Sequence, residues 1–135
     1  MRRFVPILLL LTVTAVACGS NNSAITTTTP TPAVTESFTG TLTIRGATTF
    51  PFAVGATGVV TATLISLTPD STLLVGLSLG TWNGSSCQIV LANDQALQGS
   101  SVIGSASSAG NLCVRLYDVG KIAQAEAFQI DVVHP

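Results

Sequence analysis

The chain of 135 residues contains three cysteines, Cys18, Cys87 and Cys113. Of all its residues, these can take part in the widest range of chemical reactions. Cys18 directly follows Ala15-Val16-Ala17, and small residues of this kind precede the cleavage site of an exported protein. An odd number of thiols in an exported protein leaves one thiol without a partner. Modification of Cys18 would leave Cys87 and Cys113 as one pair, and the oxidising compartment then predicts a disulfide between them. Because no C-x-x-C motif is present, we interpret this pair as a structural staple and not as a redox centre.

The first seventeen residues predict a signal peptide that is removed. Met1-Arg2-Arg3 precedes a mostly apolar run from Phe4 to Val16, which is shorter than the roughly 20 residues needed to cross a bilayer. Together with Cys18, this leader resembles a bacterial lipoprotein signal, in which the cysteine is lipidated and becomes the new N-terminus. The resemblance implies a membrane anchor at the bacterial cell envelope, in the outer membrane or at the cell surface. The alternative is an ordinary A-x-A cleavage site, which would release a secreted protein with an unmodified Cys18.

The charge balance argues against several classes of partner. Without residues 1–17 the chain has three basic and six acidic side chains, a net charge of −3. It therefore lacks the cluster of basic residues that nucleic acid or anionic lipid requires, and we expect membrane contact through the N-terminal lipid. Charged residues make up 8% of the chain, against about 25% in soluble domains, so Ser, Thr, Asn and Gln must supply the polar surface.

Residues suited to catalysis are scarce, and we predict no enzyme activity and no catalytic residue. The one histidine, His134, is the penultimate residue, and no nucleophile or zinc-protease motif occurs. Asn93 and Asp94, in a predicted loop, and Asp118, at a predicted strand end, could contribute to a calcium site. However, calcium takes six to eight oxygen ligands, and Asn and Asp are also ordinary turn residues. We therefore predict no cofactor and no metal site, with calcium as the alternative.

Three side chains are candidates for binding a partner. Trp82 is at a predicted hairpin, where it is either an exposed platform for a sugar ring or partner, or a cap on the core. Arg115 and Tyr117 share a predicted outward face beside Cys113. They form either a recognition patch or an Arg–aromatic pair that serves stability.

These residues belong to one predicted domain, residues 36–135, joined to the lipidated cysteine by a Thr/Pro-rich, disordered tether at 18–35. Short alternating segments separated by turns predict an all-β domain, a jelly-roll-like antiparallel β-sandwich of about eight strands. Pro51 predicts an edge strand, and Asn83-Gly84 predicts a hairpin after a strand over 73–82. In the strand around Cys113 the neighbouring leucines and valine face inward, so we expect the disulfide on an outer face or in a loop.

The strand patterns resemble the bacterial pre-peptidase C-terminal (PPC) domain over most of residues 36–135. The matching segments are Gly40-Thr41-Leu42, Phe50-x-Phe52-x-Val54, Gly58-Val59-Val60-Thr61-Ala62-Thr63-Leu64 and Ala109-Gly110-x-x-Cys113-Val114-Arg115-Leu116-Tyr117. The resemblance implies a jelly-roll-like sandwich that acts as a non-catalytic accessory module in substrate binding, secretion or maturation. Many members carry acidic residues in the strand that here reads Leu73-Leu74-Val75-Gly76-Leu77-Ser78-Leu79. This strand has no carboxylate, so the cation role of those members does not transfer.

Together these features predict a surface-tethered, non-catalytic binding or scaffolding module of the bacterial envelope, with an exported protein or a glycan as its partner. Two alternatives remain open at this point. One is a carbohydrate-binding module centred on Trp82, and the other is a purely structural envelope component without a discrete ligand.

Overall fold

The computed structural model describes residues 29–135, and these form eight β-strands and no helix. No helix in this part of the chain could therefore span a membrane. The predicted signal peptide, Cys18 and the tether up to residue 28 lie outside the described residues. The strands are β1 (Val34–Leu42), β2 (Ala47–Val54), β3 (Gly58–Thr68), β4 (Val75–Trp82), β5 (Cys87–Ala96), β6 (Ser101–Ala106), β7 (Gly110–Tyr117) and β8 (Glu126–His134).

The strands form two four-stranded antiparallel sheets. Sheet A has the order β1-β8-β3-β6, and sheet B has the order β2-β7-β4-β5. Strands one to four thus pair with strands eight to five in turn, as in one long antiparallel ribbon rolled into a sandwich. This order is that of a jelly roll, and the predicted all-β sandwich is confirmed.

The core follows from the period-two alternation of each strand. β8 directs Phe128, Ile130 and Val132 inward, where they are buried. The opposite sheet contributes Leu77 and Leu116, which are also buried. Phenylalanines fill one part of the interior, where the rings of Phe38 and Phe50 stack with their centroids 5.0 Å apart. The alternating segments that predicted strands therefore also supply the contacts between the two sheets.

Strand ends differ in part from the sequence-based prediction. β2, which contains Pro51, is an edge strand as predicted. β1 begins at Val34, inside the predicted tether, because it pairs with β8 from its first residue. β4 begins at Val75 and not at Leu73, although Leu73 still packs against the core.

The two ends of the domain meet at one corner of sheet A. Val34 pairs with His134, and Nε2 of the buried His134 ring lies 2.9 Å from Oε1 of Glu36. The same ring packs beside Phe52 with centroids 5.3 Å apart. These contacts fix the point at which the N-terminal segment leaves the sandwich.

Candidate functional site

The outer face of sheet B is built over a strand with very small side chains. β4 directs Gly76, Ser78 and Gly80 outward, and all three are buried. They are buried because larger residues of the flanking strands pack over them. The ring of Tyr117 lies directly over Gly76, where a Cβ atom would overlap it.

Gly80 allows β5 to cross above β4. The Gln88 carbonyl carbon and the Ile89 Cα lie 2.7 and 3.0 Å from the position that a Cβ at residue 80 would take. The crossing brings Cys87 of β5 to Cys113 of β7, with a Cα–Cα distance of 5.8 Å, and the two form a disulfide. The predicted pairing and its place on an outer face are both confirmed.

Trp82 ends β4 on this face and pairs with Cys87. Its side chain is half-buried and separates two shallow depressions of about 560 and 350 Å³. The larger depression is lined by Pro51, Phe52, Ala53, Asn83, Gly84 and Asn111. The smaller one is lined by Ala47, Thr49, Ser85, Ser86, Cys87 and Arg115. The indole is therefore a ridge between two concave surfaces rich in amide and hydroxyl groups.

The hairpin loop after Trp82 is held by one side chain. Asn83 Oδ1 accepts hydrogen bonds from the backbone N–H groups of Ser85 at 2.9 Å and Ser86 at 2.8 Å. Its Nδ2 donates to Ser86 Oγ at 3.0 Å. Gly84 has a φ of 99°, a conformation that glycine adopts without steric cost. The predicted Asn-Gly hairpin is confirmed, and it fixes one wall of each depression.

Arg115 and Tyr117 lie side by side on the outer face, as predicted. The Arg115 guanidinium carbon is 5.5 Å from the centre of the Tyr117 ring, within the range of a cation–π contact. The Tyr117 hydroxyl donates a hydrogen bond to Asp94 Oδ1. Burial, followed by this hydrogen bond and the nearby Asp94 charge, raises the pKa of Tyr117 to about 12. Tyr117 is therefore fixed between two charged partners, whereas Arg115 also borders the smaller depression.

The three calcium candidates have other partners. The predicted loop at Asn93 and Asp94 is wrong, because both residues lie in β5. Asn93 Oδ1 accepts a hydrogen bond from the Gln95 N–H at 3.0 Å, and Asp94 accepts one from Tyr117. Within residues 29–135, no group of three or more His, Cys, Asp or Glu side chains could hold a metal ion.

Asp118 follows β7, at the strand end predicted for it, and organises a loop. Its Oδ1 accepts hydrogen bonds from the N–H groups of Gly120, Lys121 and Ile122, and its Oδ2 accepts one from the N–H of Arg45. Burial raises the pKa of this carboxyl, but the four hydrogen bonds outweigh it and leave the pKa below its usual value. Its oxygens are thus used by backbone donors, which compete with a cation for the same lone pairs.

His134 is buried and held by contacts at one corner of the domain. Its ring is 3% exposed, its Nε2 is bonded to Glu36 and its Nδ1 lies 3.2 Å from the Pro135 carbonyl oxygen. The ring is thus enclosed at the corner where the two ends of the domain meet, whereas Trp82 is on the outer face of sheet B. The structure does not bring these two residues together.

Sequence reasoning missed the residues that complete the walls around Trp82. Pro51 and Asn111 line the larger depression and Thr49 the smaller one, but each is distant from Trp82 in sequence. The alternation of β2 and β7 predicts that they face outward. Only the pairing of these two strands beside β4 brings them next to the indole.

Neither a protein-family model nor a curated protein matches this sequence. The resemblance to the PPC domain therefore stays a prediction.

Proposed function

We propose that this chain is a lipid-tethered, non-catalytic binding module of the bacterial envelope, with its binding face on the outer side of sheet B. The observation that carries the proposal is the position of Trp82, half-buried between two depressions. An aromatic ring in such a place offers a flat apolar surface with hydrogen-bonding groups at its edges. The leader, Cys18 and the Thr/Pro tether support attachment to a membrane.

The rigidity of the face also supports a binding role. Trp82 pairs with a residue of the Cys87–Cys113 disulfide, and the loop after it is held by Asn83. A preformed surface loses little conformational freedom when a partner binds, which favours affinity. The PPC resemblance fits the same proposal, because it implies a non-catalytic accessory module.

Carbohydrate recognition is the second candidate for this face, and the lining of the depressions favours it. The walls carry the amides of Asn83 and Asn111, the hydroxyls of Ser85 and Thr49, and one guanidinium. A neutral sugar presents hydroxyl groups that such side chains can bind, and the face of its ring can lie on an indole. The third candidate, a purely structural envelope component, predicts that no ligand depends on Trp82.

Trp82 is also the probe that tests these candidates, since it is the one tryptophan of the chain. The mature protein would be titrated with soluble envelope glycans and with peptides from crosslinked envelope partners while indole emission is recorded. A saturable change in emission that Asn111→Ala weakens would support the site, and Ala92→Ser, elsewhere on β5, is the matched control. Binding that persists unchanged in Trp82→Ala would contradict the proposal. If no glycan changes the emission, the carbohydrate candidate fails.

A further inference from the structure

The outer face of sheet A carries a cluster of exposed aliphatic side chains. Val133, Thr61 and Ile103 lie in one row across three neighbouring strands, β8, β3 and β6. Val59 is two residues before Thr61 on β3 and points to the same side. Val59 and Ile103 are each 64% exposed and Val133 is 39% exposed. We call Val59, Ile103 and Val133 the aliphatic patch.

The surroundings of the aliphatic patch are almost uncharged. Among the outward side chains of the four strands of sheet A, Asp131 is the charged one, and its Oδ1 accepts hydrogen bonds from Ser37 at 2.7 Å and Gln129 at 2.9 Å. The other outward residues are aliphatic, Thr, Ser, Ala or Gln. An apolar cluster whose rim carries one carboxylate, held by hydrogen bonds from Ser37 and Gln129, can approach an interface of low polarity at less cost than a face with several charges.

The N-terminal segment leaves the domain beside this patch. Thr31 and Ala33 line the same surface depression as Val59, Val133 and Pro135. Thirteen residue-to-residue steps separate Cys18 from Thr31, and they reach about 45 Å at most when the chain is fully extended. A lipid at Cys18 would thus hold the aliphatic patch within about 45 Å of the bilayer.

From these observations we infer that the domain rests on the bilayer through the aliphatic patch, an inference that depends on the proposed lipid anchor at Cys18. The patch has no aromatic or basic residues to give strong interfacial binding by itself. A short tether makes strong interfacial binding unnecessary. It holds the domain near the bilayer at an effective concentration of about millimolar, at which a weak contact forms. Since sheets A and B are the two layers of the sandwich, this orientation turns the Trp82 face away from the membrane.

The test places an environment-sensitive nitrobenzoxadiazole label on each face. Ile103→Cys and Ala92→Cys are labelled separately in the mature, full-length lipoprotein, with the native disulfide left oxidised. Each protein is reconstituted into phosphatidylcholine vesicles that carry a quencher on the lipid. The label at 103 is expected to be quenched several-fold more than the label at 92, and its emission is expected to shift to the blue. Val59→Ser with Val133→Ser should reduce quenching at 103 to the level seen at 92.

The same samples separate failure of the inference from failure of the anchor. Mass spectrometry of each preparation determines whether Cys18 carries acyl chains. Acylated protein with equal quenching at 103 and 92 would overturn the orientation and leave the anchor intact. An unmodified Cys18 would overturn the anchor, and with it this inference. Circular dichroism of the Val59→Ser, Val133→Ser variant checks its fold, which two exposed side chains should not alter.

Discussion

The backbone of Gln88 crosses the outer side of Gly80, so that a Cβ atom at position 80 would overlap the Gln88 carbonyl group. The disulfide depends on this crossing. In a flat sheet, β5 and β7 are two strand spacings apart, about 9.5 Å with β4 between them. Here the Cα atoms of Cys87 and Cys113 are 5.8 Å apart. The glycine and the disulfide are therefore two parts of one local structure, and Trp82 is beside both.

Gly80→Ala is expected to lower the free energy of unfolding by about 1–3 kcal/mol, because the overlapping atoms are backbone and cannot rotate away. Urea denaturation followed by Trp82 emission measures the effect. Gly110→Ala is the control, since a Cβ there meets no atom within 4 Å, and it should change stability by less than about 0.5 kcal/mol. Equal stability of the two variants would show that β5 does not cross Gly80 closely.

Removal of the disulfide by Cys87→Ala with Cys113→Ala is expected to cost roughly 3.5 kcal/mol, the loop-closure entropy of a bridge spanning 26 residues. Denaturation of the oxidised wild type and the double variant gives the difference. Because Trp82 pairs with Cys87, its emission should also shift to the red as the indole loses support. Unchanged stability in the double variant would contradict a stapling role.

The ionisation of Tyr117 can be followed directly, because it is the one tyrosine of the chain. Its pKa of about 12 predicts that tyrosinate absorbance near 295 nm rises well above pH 10, the usual value. Asp94→Asn removes the neighbouring negative charge and should lower the pKa of Tyr117 towards 10, while Asp118→Asn should not change it. In the unfolded state the hydroxyl ionises near pH 10, so its contribution to stability is present below pH 10 and lost between pH 10 and 12. A midpoint near 10 in the folded wild type would contradict the hydrogen bond between Tyr117 and Asp94.

Acid should destabilise the domain through Asp118, whose pKa in the folded state is below its usual value. The stability that this carboxylate contributes is present above its unfolded pKa of about 4 and is lost as the pH falls through the lower, folded value. Asp118→Asn should be less stable at pH 7 and should lose less stability between pH 4 and pH 2. Unfolding measured across this range tests both effects. Lys121→Ala is the control, because it keeps the backbone N–H that bonds Asp118, and its stability should follow the wild-type dependence on pH. If the stability of Asp118→Asn showed that same dependence on pH, the result would contradict a role for the loop hydrogen bonds.

Alternation explains which parts of the fold could be predicted from sequence. Leu112, Val114 and Leu116 mark an inward face, so the outward position of Cys113 could be predicted. Its bridge to Cys87 was predicted separately, from the number of cysteines and the oxidising compartment. The alternation holds because a strand with one buried face must place its apolar residues on that face.

Two features could not be read from single strands. Asn93 and Asp94 have the composition of a loop, yet they lie in β5, an edge strand whose register against β4 is irregular. The site around Trp82 depends on the register of β2, β7 and β4 and on the crossing of β5 over Gly80. These relationships join residues that are far apart in sequence, and no local pattern encodes them.

The pairing of β1 with β8 has a mechanical consequence for an anchored protein. Any tension on the N-terminal segment enters the domain at Val34, the first residue of a strand at the edge of sheet A. If this force is opposed at the neighbouring end of β8, beside His134, it loads the β1–β8 hydrogen bonds one after another, as in opening a zipper. The Glu36–His134 bond is close to this point and would be among the first contacts to bear the force. The disulfide is in sheet B, so β1 could separate from β8 under tension while the disulfide still holds the strands around Trp82 together.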